Sequence, residues 1–173
     1  MRPTFISPGL AAYSLARMAH ERWGVTSSGV GMNPPQLVER SRLFQLHHVD
    51  NVRSDAQVVD ALLALAKADA SYPRALFTDH DWFTHQVARK AEELEEGYLL
   101  PSPSEAVLDR VTDKLEFQAV CASLGIPHPE TVVVDLSVEE EPSHLDDLVY
   151  PVVAKPASST AYLAAQFDGK RKV

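Results

Sequence analysis

The chain has 173 residues with 16 basic and 24 acidic side chains, a formal charge of −8, and it is long enough to bury a real core in one domain or in one domain plus part of a second. The negative balance disfavours non-specific binding to nucleic acid or anionic membrane, so any phosphate recognised here must be held locally. A single cysteine, Cys121, excludes an intrachain disulfide framework and a multi-cysteine metal site, no apolar run approaches the ~20 residues of a membrane span, and Met1 to Leu10 lacks a signal-like core; a cytoplasmic protein is expected.

In chain order, "PTFIS" predicts an opening strand, and Gly9 allows a tight turn into "LAAYSLARMAHERWG", an alanine-rich helix closed by Gly24. "VTSSGVG" and "RLFQLHHV" predict two further strands, separated by "MNPPQ", where paired prolines enforce a loop. From Asp55 to Ala70, Val58, Leu62 and Leu65 recur at helical spacing with Val59, Leu63 and Ala66 beside them. "RALFT" predicts a strand, "DWFTHQVARKAEELEEG" a helix and "GYLLP" a short strand. Alternating strands and helices predict an α/β fold, a small open doubly wound parallel sheet of Rossmann-like type spanning residues 1–111.

"PSPSEAVLDRVTDK" is a proline-punctuated connector that enters a new helix, with a domain boundary near Thr112. Thr112 is the expected N-cap, with Asp113 and Glu116 in the first turn. Phe117, Val120, Cys121 and Leu124 form the expected apolar face, and Gly125 supplies a left-handed exit. "TVVVDL" is a β-branched strand candidate, "SVEEEPSHLDDL" an acidic solvated excursion, "YPVVAKP" a second strand candidate, and Asp168-Gly169 a hairpin turn.

The order "TDKLEFQAVCASLGIPHPETVVV", an acidic spacer, "YPVVAKPASST" and "FDGKRKV" resembles the entry to an ATP-grasp domain. "GLAAYSLARMAHERWGVTSS" resembles the pre-ATP-grasp domain of carboxylate–amine ligases, the D-aspartate ligase-like branch above all. The resemblance implies that residues 112–173 are the start of an incomplete α+β ATP-grasp N-terminal lobe. It implies ATP as cofactor, an acyl phosphate intermediate, and amino-acid-like carboxylate and amine substrates. Lys155 would be the strand lysine on the α- and β-phosphates, and Lys114 the second phosphate-contacting lysine. Ser158, Ser159 and Thr160 would open the loop over the phosphates; these hydroxyl residues stand where glycines often do. The family's Mg²⁺ ligands lie in the larger lobe, after the point where this sequence stops, so the chain alone is expected to be inactive.

The other polar clusters give weaker signals. Gly9 with the following helix lacks the full G-x-G-x-x-G, so a dinucleotide site is not expected; a substrate carboxylate at that helix N-terminus, near Tyr13 and Ser14, is one reading. Asp79 or Asp81 in "FTDHDWF" is expected to cap a helix rather than bind metal. His47 and His48 point to opposite strand faces and are poor joint ligands. Cys121 is expected in the core, and Lys170 and Lys172 on the surface. A homodimer is compatible with this pattern. Two other readings stay open: a non-catalytic α/β module binding a small molecule or a protein, and a carbamoyl-phosphate-synthase-like fragment.

Overall fold

The computed structural model describes residues 1–135, 145, 148–157 and 162, in two compact units, Met1–Leu108 and Asp109–Val173. In the first unit the elements run β1 (Arg2–Ile6), α1 (Leu10–Trp23), β2 (Ser27–Gly31), α2 (Gln36–Glu39), β3 (Phe44–His48), α3 (Asp55–Ala68), β4 (Arg74–Phe77), α4 (Asp81–Arg89) and α5 (Ala91–Leu94). The strands form an all-parallel sheet in the order β3-β2-β1-β4. Leu99 adds a parallel bridge beside Ala75, so the "GYLLP" segment does extend the sheet at its β4 edge. The expected α/β class with an open doubly wound sheet is what the chain forms.

The two-residue period of the strands sorts the side chains between two layers. Phe5 faces α1 and α2, where it packs with Ala12, Ala16, Val38 and Phe44. Alanines at the buried positions of α1 leave room for the phenylalanine rings, and Phe5 meets Phe44 edge-on at 5.8 Å and Phe77 at 5.7 Å. Ile6, Val30 and Leu76 face the other way, onto Val58, Leu62 and Leu65 of α3 and onto Val87 and Leu94 of α4 and α5. Ser54 caps α3 by accepting the Gln57 N–H, and Gly24 leaves α1 in the left-handed region at φ 67°.

The amino-end half of the α3 face is polar. Arg2 and Arg74 sit side by side in register, and Asp69 answers both, at 2.6 Å to Arg2 and 3.9 Å to Arg74. The Ser71 N–H above all, and then these two guanidinium groups, hold the Asp69 carboxyl below its usual range. Arg74 is 3% exposed and donates to Ser28 Oγ at 3.2 Å. Tyr98 donates to the Leu62 carbonyl at 2.8 Å, and burial pushes its hydroxyl pKa up to about 12.

His47 lies on this same sheet face, opposite Val30 near the carboxyl end of β3, while His48 lies on the opposite face, as its alternation requires. Burial first, then the positive charge of Arg74 and the neighbouring His48, lower the His47 pKa. The unfolded chain therefore takes up a proton more readily than the folded one, so stability is complete above about pH 6.5 and falls as the pH drops through that value. Urea midpoints between pH 7.5 and 5.5 should show this fall, and His47→Gln should flatten it. An equal fall in that variant would assign the effect elsewhere.

Several expected boundaries move. A short helix, α2, follows Pro35 where only a loop was expected. The long helix after β4 breaks at Lys90, whose φ −112° and ψ 18° leave the helical region, and α5 restarts at Ala91 to bury Leu94. The connector contains a helix, α6 (Glu105–Thr112), with Leu108 buried. The following helix, α7 (Lys114–Ser123), is capped by Asp113 rather than Thr112: Asp113 Oδ1 accepts from Leu115 N and Glu116 N. Thr112 is itself the last residue of α6 and so cannot take the extended cap conformation.

In the second unit Cys121 is buried as expected, but Phe117 and Leu124, from the same predicted face, are 48% and 67% exposed. Gly125 takes the left-handed exit at φ 66°. Residues 131–135 and 151–157 are not strands, although their β-branched composition favours one. A strand needs a paired neighbour and a covering layer, and Val133 and Val153 have no such cover, being 57% and 79% exposed. Most of the acidic spacer, the Asp168-Gly169 turn, Lys170 and Lys172 lie outside the described residues. Among the described residues no helix is long and apolar enough to cross a membrane.

Candidate functional site

In an open α/β sheet, ligands bind outside the carboxyl ends of the strands, where the strand order reverses. Here that point lies between β1 and β4, neighbours in the sheet although two strands and three helices separate them in sequence. Ser7, at φ 50°, turns the chain out of β1, and Gly9 enters α1 in an extended conformation with no side-chain cap. A Cβ on Gly9 would stand 3.0 Å from Asp79 Oδ2, so the carboxylate that follows β4 rests against the start of α1. The positive end of the α1 dipole favours that anion. Asp79 is therefore neither a helix cap nor remote from Gly9. The α4 cap is His80, whose Nδ1 accepts the Trp82 N–H at 3.2 Å, and Asp81 is the first residue of the helix.

Tyr13 and Ser14 stand on different sides of α1. Tyr13 is partly buried against the Phe5 layer. Ser14 is exposed, and its hydroxyl donates to the Leu10 carbonyl at 3.2 Å within its own helix. Of these three residues, Gly9 is the one beside the strand-order reversal. A negative carboxylate already occupies that helix end, so the electrostatics there suit the ammonium group of a ligand better than a second carboxylate.

The second unit brings two distant stretches of sequence together. Lys114, the first residue of α7, donates from its backbone N–H to the Ala157 carbonyl at 3.4 Å, and its Nζ reaches the same oxygen at 3.2 Å. The Asp113 cap fixes the helix start from which Lys114 projects. Ala157 is two residues beyond Lys155, which is exposed. The "DK" helix start and the "AKPA" segment are thus adjacent in space. Ser158, Ser159 and Thr160 lie outside the described residues. Among the described residues no three His, Cys, Asp or Glu side chains gather as a metal site.

Sequence reasoning missed Arg53 and Trp82. The Arg53 guanidinium lies over the Trp82 ring, 5.4 Å from its centroid. Neither residue belongs to a spaced motif, and their meeting depends on α3 and α4 starting from the same edge of the sheet, so no local pattern could have paired them.

No family model matches the chain. It is 24% identical over 176 aligned residues to a D-aspartate ligase of Enterococcus faecium, an alignment covering 98% of this chain and 42% of that protein. The chain thus spans about two-fifths of the length of this curated relative. An L-amino acid ligase from Bacillus licheniformis shares the fold at a TM-score of 0.59 and 15% identity, over 92% of this chain and 38% of that one. The biotin carboxylase domain of a Hydrogenobacter thermophilus 2-oxoglutarate carboxylase, solved with MgADP, aligns at a TM-score of 0.48 and 12% identity, over 73% of this chain and 28% of that one. The chain is thus similar to D-aspartate ligase across almost its whole length and shares its fold with an L-amino acid ligase, both of them ATP-grasp proteins.

Proposed function

We propose that the chain is the N-terminal portion of an ATP-dependent carboxylate–amine ligase. Residues 1–111 serve as its pre-ATP-grasp domain and residues 112–173 begin its ATP-grasp N-terminal lobe. The observation that supports this reading is the contact of Lys114 with the Ala157 carbonyl, two residues along the sequence from Lys155. Phosphoryl transfer asks a protein mainly for positioning and for neutralisation of charge on the phosphate oxygens. An ammonium on the first turn of a capped helix and another on an adjacent irregular segment can supply both.

In the reaction a substrate carboxylate oxygen attacks the γ-phosphorus of ATP, the bond to the β-phosphate oxygen breaks, and ADP leaves. The acyl phosphate is then attacked by an amine, which forms the amide, releases inorganic phosphate and gives up a proton. Lys114 and Lys155 would hold the nucleotide phosphates through the first step. Magnesium, which this chemistry calls for, does not fit the described residues, since no cluster of ligands gathers among them. The D-aspartate ligase relative points to an amino acid as one substrate, and Asp79 beside Gly9 suits its ammonium group.

The test is amino-acid-dependent release of phosphate from MgATP by the full-length polypeptide that carries this region. Phosphate should appear only when a carboxylate and an amine substrate are both present, and this chain alone should release none. Failure of the full-length protein to consume ATP with any combination of α-amino acids would sink the ligase reading.

A further inference from the structure

The loop between β3 and α3 is unusually well tied for a segment at the ligand edge of a sheet. Asn51 Oδ1 accepts the Arg53 N–H at 3.0 Å, Ser54 N donates to the Asn51 carbonyl at 3.1 Å, and Asn51 N donates to Gln57 Oε1 at 2.9 Å. One stripe of α4 holds this loop from the side. Gln86, 1% exposed, donates from Nε2 to the Val52 carbonyl at 3.3 Å and to Asp55 Oδ1 at 3.0 Å, and Arg89 faces Asp55 at 3.5 Å. Trp82 lies one turn before Gln86 on the same stripe and places its ring under the Arg53 guanidinium.

Arg2, Arg17 and Arg89 all face carboxylates. Arg53 does not: its backbone is fixed by Asn51 and its guanidinium by the Trp82 ring, and no protein acceptor for that guanidinium exists among the described residues. A planar fork of N–H donors, pre-positioned on an aromatic face with its hydrogen-bonding edge unspent, is suited to a carboxylate. The indole also keeps water from one side, which strengthens the pairing. Asp79 stands three residues before Trp82 across the start of α4 and rests against Gly9. The start of α4 is therefore flanked by one anion and one cation.

We propose that Arg53 over Trp82 anchors the carboxylate, and Asp79 the ammonium, of a free α-amino acid at the carboxyl edge of this sheet. The ligase reading supplies what the amino acid is for, whereas the binding itself is a property of the first unit. A dicarboxylic acid without an amine meets only half of the site.

The test is a titration of the 173-residue chain, labelled at its tryptophan indoles, with aspartate, alanine and succinate, without ATP. The Trp82 indole N–H resonance should shift saturably with both amino acids while that of Trp23 stays in place, and succinate should bind several-fold more weakly. Arg53→Ala should weaken amino-acid binding at least tenfold, with Arg53→Lys intermediate because it keeps the charge and loses the fork. Asp79→Asn should cost aspartate its advantage over succinate. A Trp82 signal unmoved at about 50 mM amino acid, or unaltered affinity in Arg53→Ala, overturns the proposal; both residues are exposed enough for these variants to fold. Amino-acid binding with no ATP consumption by the full-length protein would remove the ligase reading alone. ATP consumption with amino-acid affinity untouched by Arg53→Ala would remove this site alone.

Discussion

Phe5→Ala is expected to destabilise the first unit by about 3–5 kcal/mol, a large share of the ~5–15 kcal/mol that holds a typical domain folded. Phe5 is 1% exposed at the centre of the sheet and touches Phe44 and Phe77 as well as the alanines of α1. Truncation removes its transfer free energy, leaves a cavity that a parallel sheet cannot readily collapse, and deletes two ring pairs worth about 0.5–1.5 kcal/mol each. Urea unfolding followed by far-ultraviolet circular dichroism measures the loss. Phe5→Leu, which keeps most of the volume, should cost about 1.5 kcal/mol or less. If the alanine variant lost under 1 kcal/mol, Phe5 would not be packed between α1 and the sheet as described.

The second large effect concerns the nucleotide. Lys155→Ala and Lys114→Ala should each weaken ATP binding to the full-length protein about 10- to 100-fold, because a hydrogen bond to a charged group is worth about 1.5–3 kcal/mol. Lys114→Ala should do more than remove a charge, since its Nζ also holds the Ala157 carbonyl next to the Lys155 segment. The two losses should then be non-additive, as expected for neighbouring groups in one site. Calorimetric titration of both single variants and the double variant decides this. ATP affinity unchanged by either substitution would leave the two lysines as surface charges.

Much of this architecture can be read directly from the residues. The short segments between turn and helix signals at 2–6, 27–31, 44–48 and 74–77 became strands, and the 3.6-residue rhythm of Val58, Leu62 and Leu65 became the buried face of α3. Gly24 and Gly125 ended helices through their left-handed conformation. The features that escaped notice depend on tertiary partners. Nothing local says that Arg74 will be buried, because its companions Ser28 and Asp69 come from another strand and from the end of α3. The break at Lys90 serves the burial of Leu94 and cannot be told from a continuous helix by composition. The His80 cap was hidden behind two aspartates that are better cap formers, yet one of them is drawn to the neighbouring helix instead. Among the candidate site residues, the order of Lys114 and Lys155 was visible as a motif. The stacking of Arg53 on Trp82 needed the crossing of the chain from β3 to β4.

Of the four strands of this sheet, the first in chain order, β1, is an interior one, flanked by β2 and β4. Its outer neighbour ends at Phe77, so on the ribosome β1 must wait for well over half of the first unit to emerge before both of its hydrogen-bonding edges are occupied. Until then it offers an unpaired hydrophobic ribbon to chaperones or to other nascent copies. Such non-local closure slows folding and lengthens that exposure, so yield at high expression should depend on translation speed between residues 31 and 77 more than on the final stability of the fold.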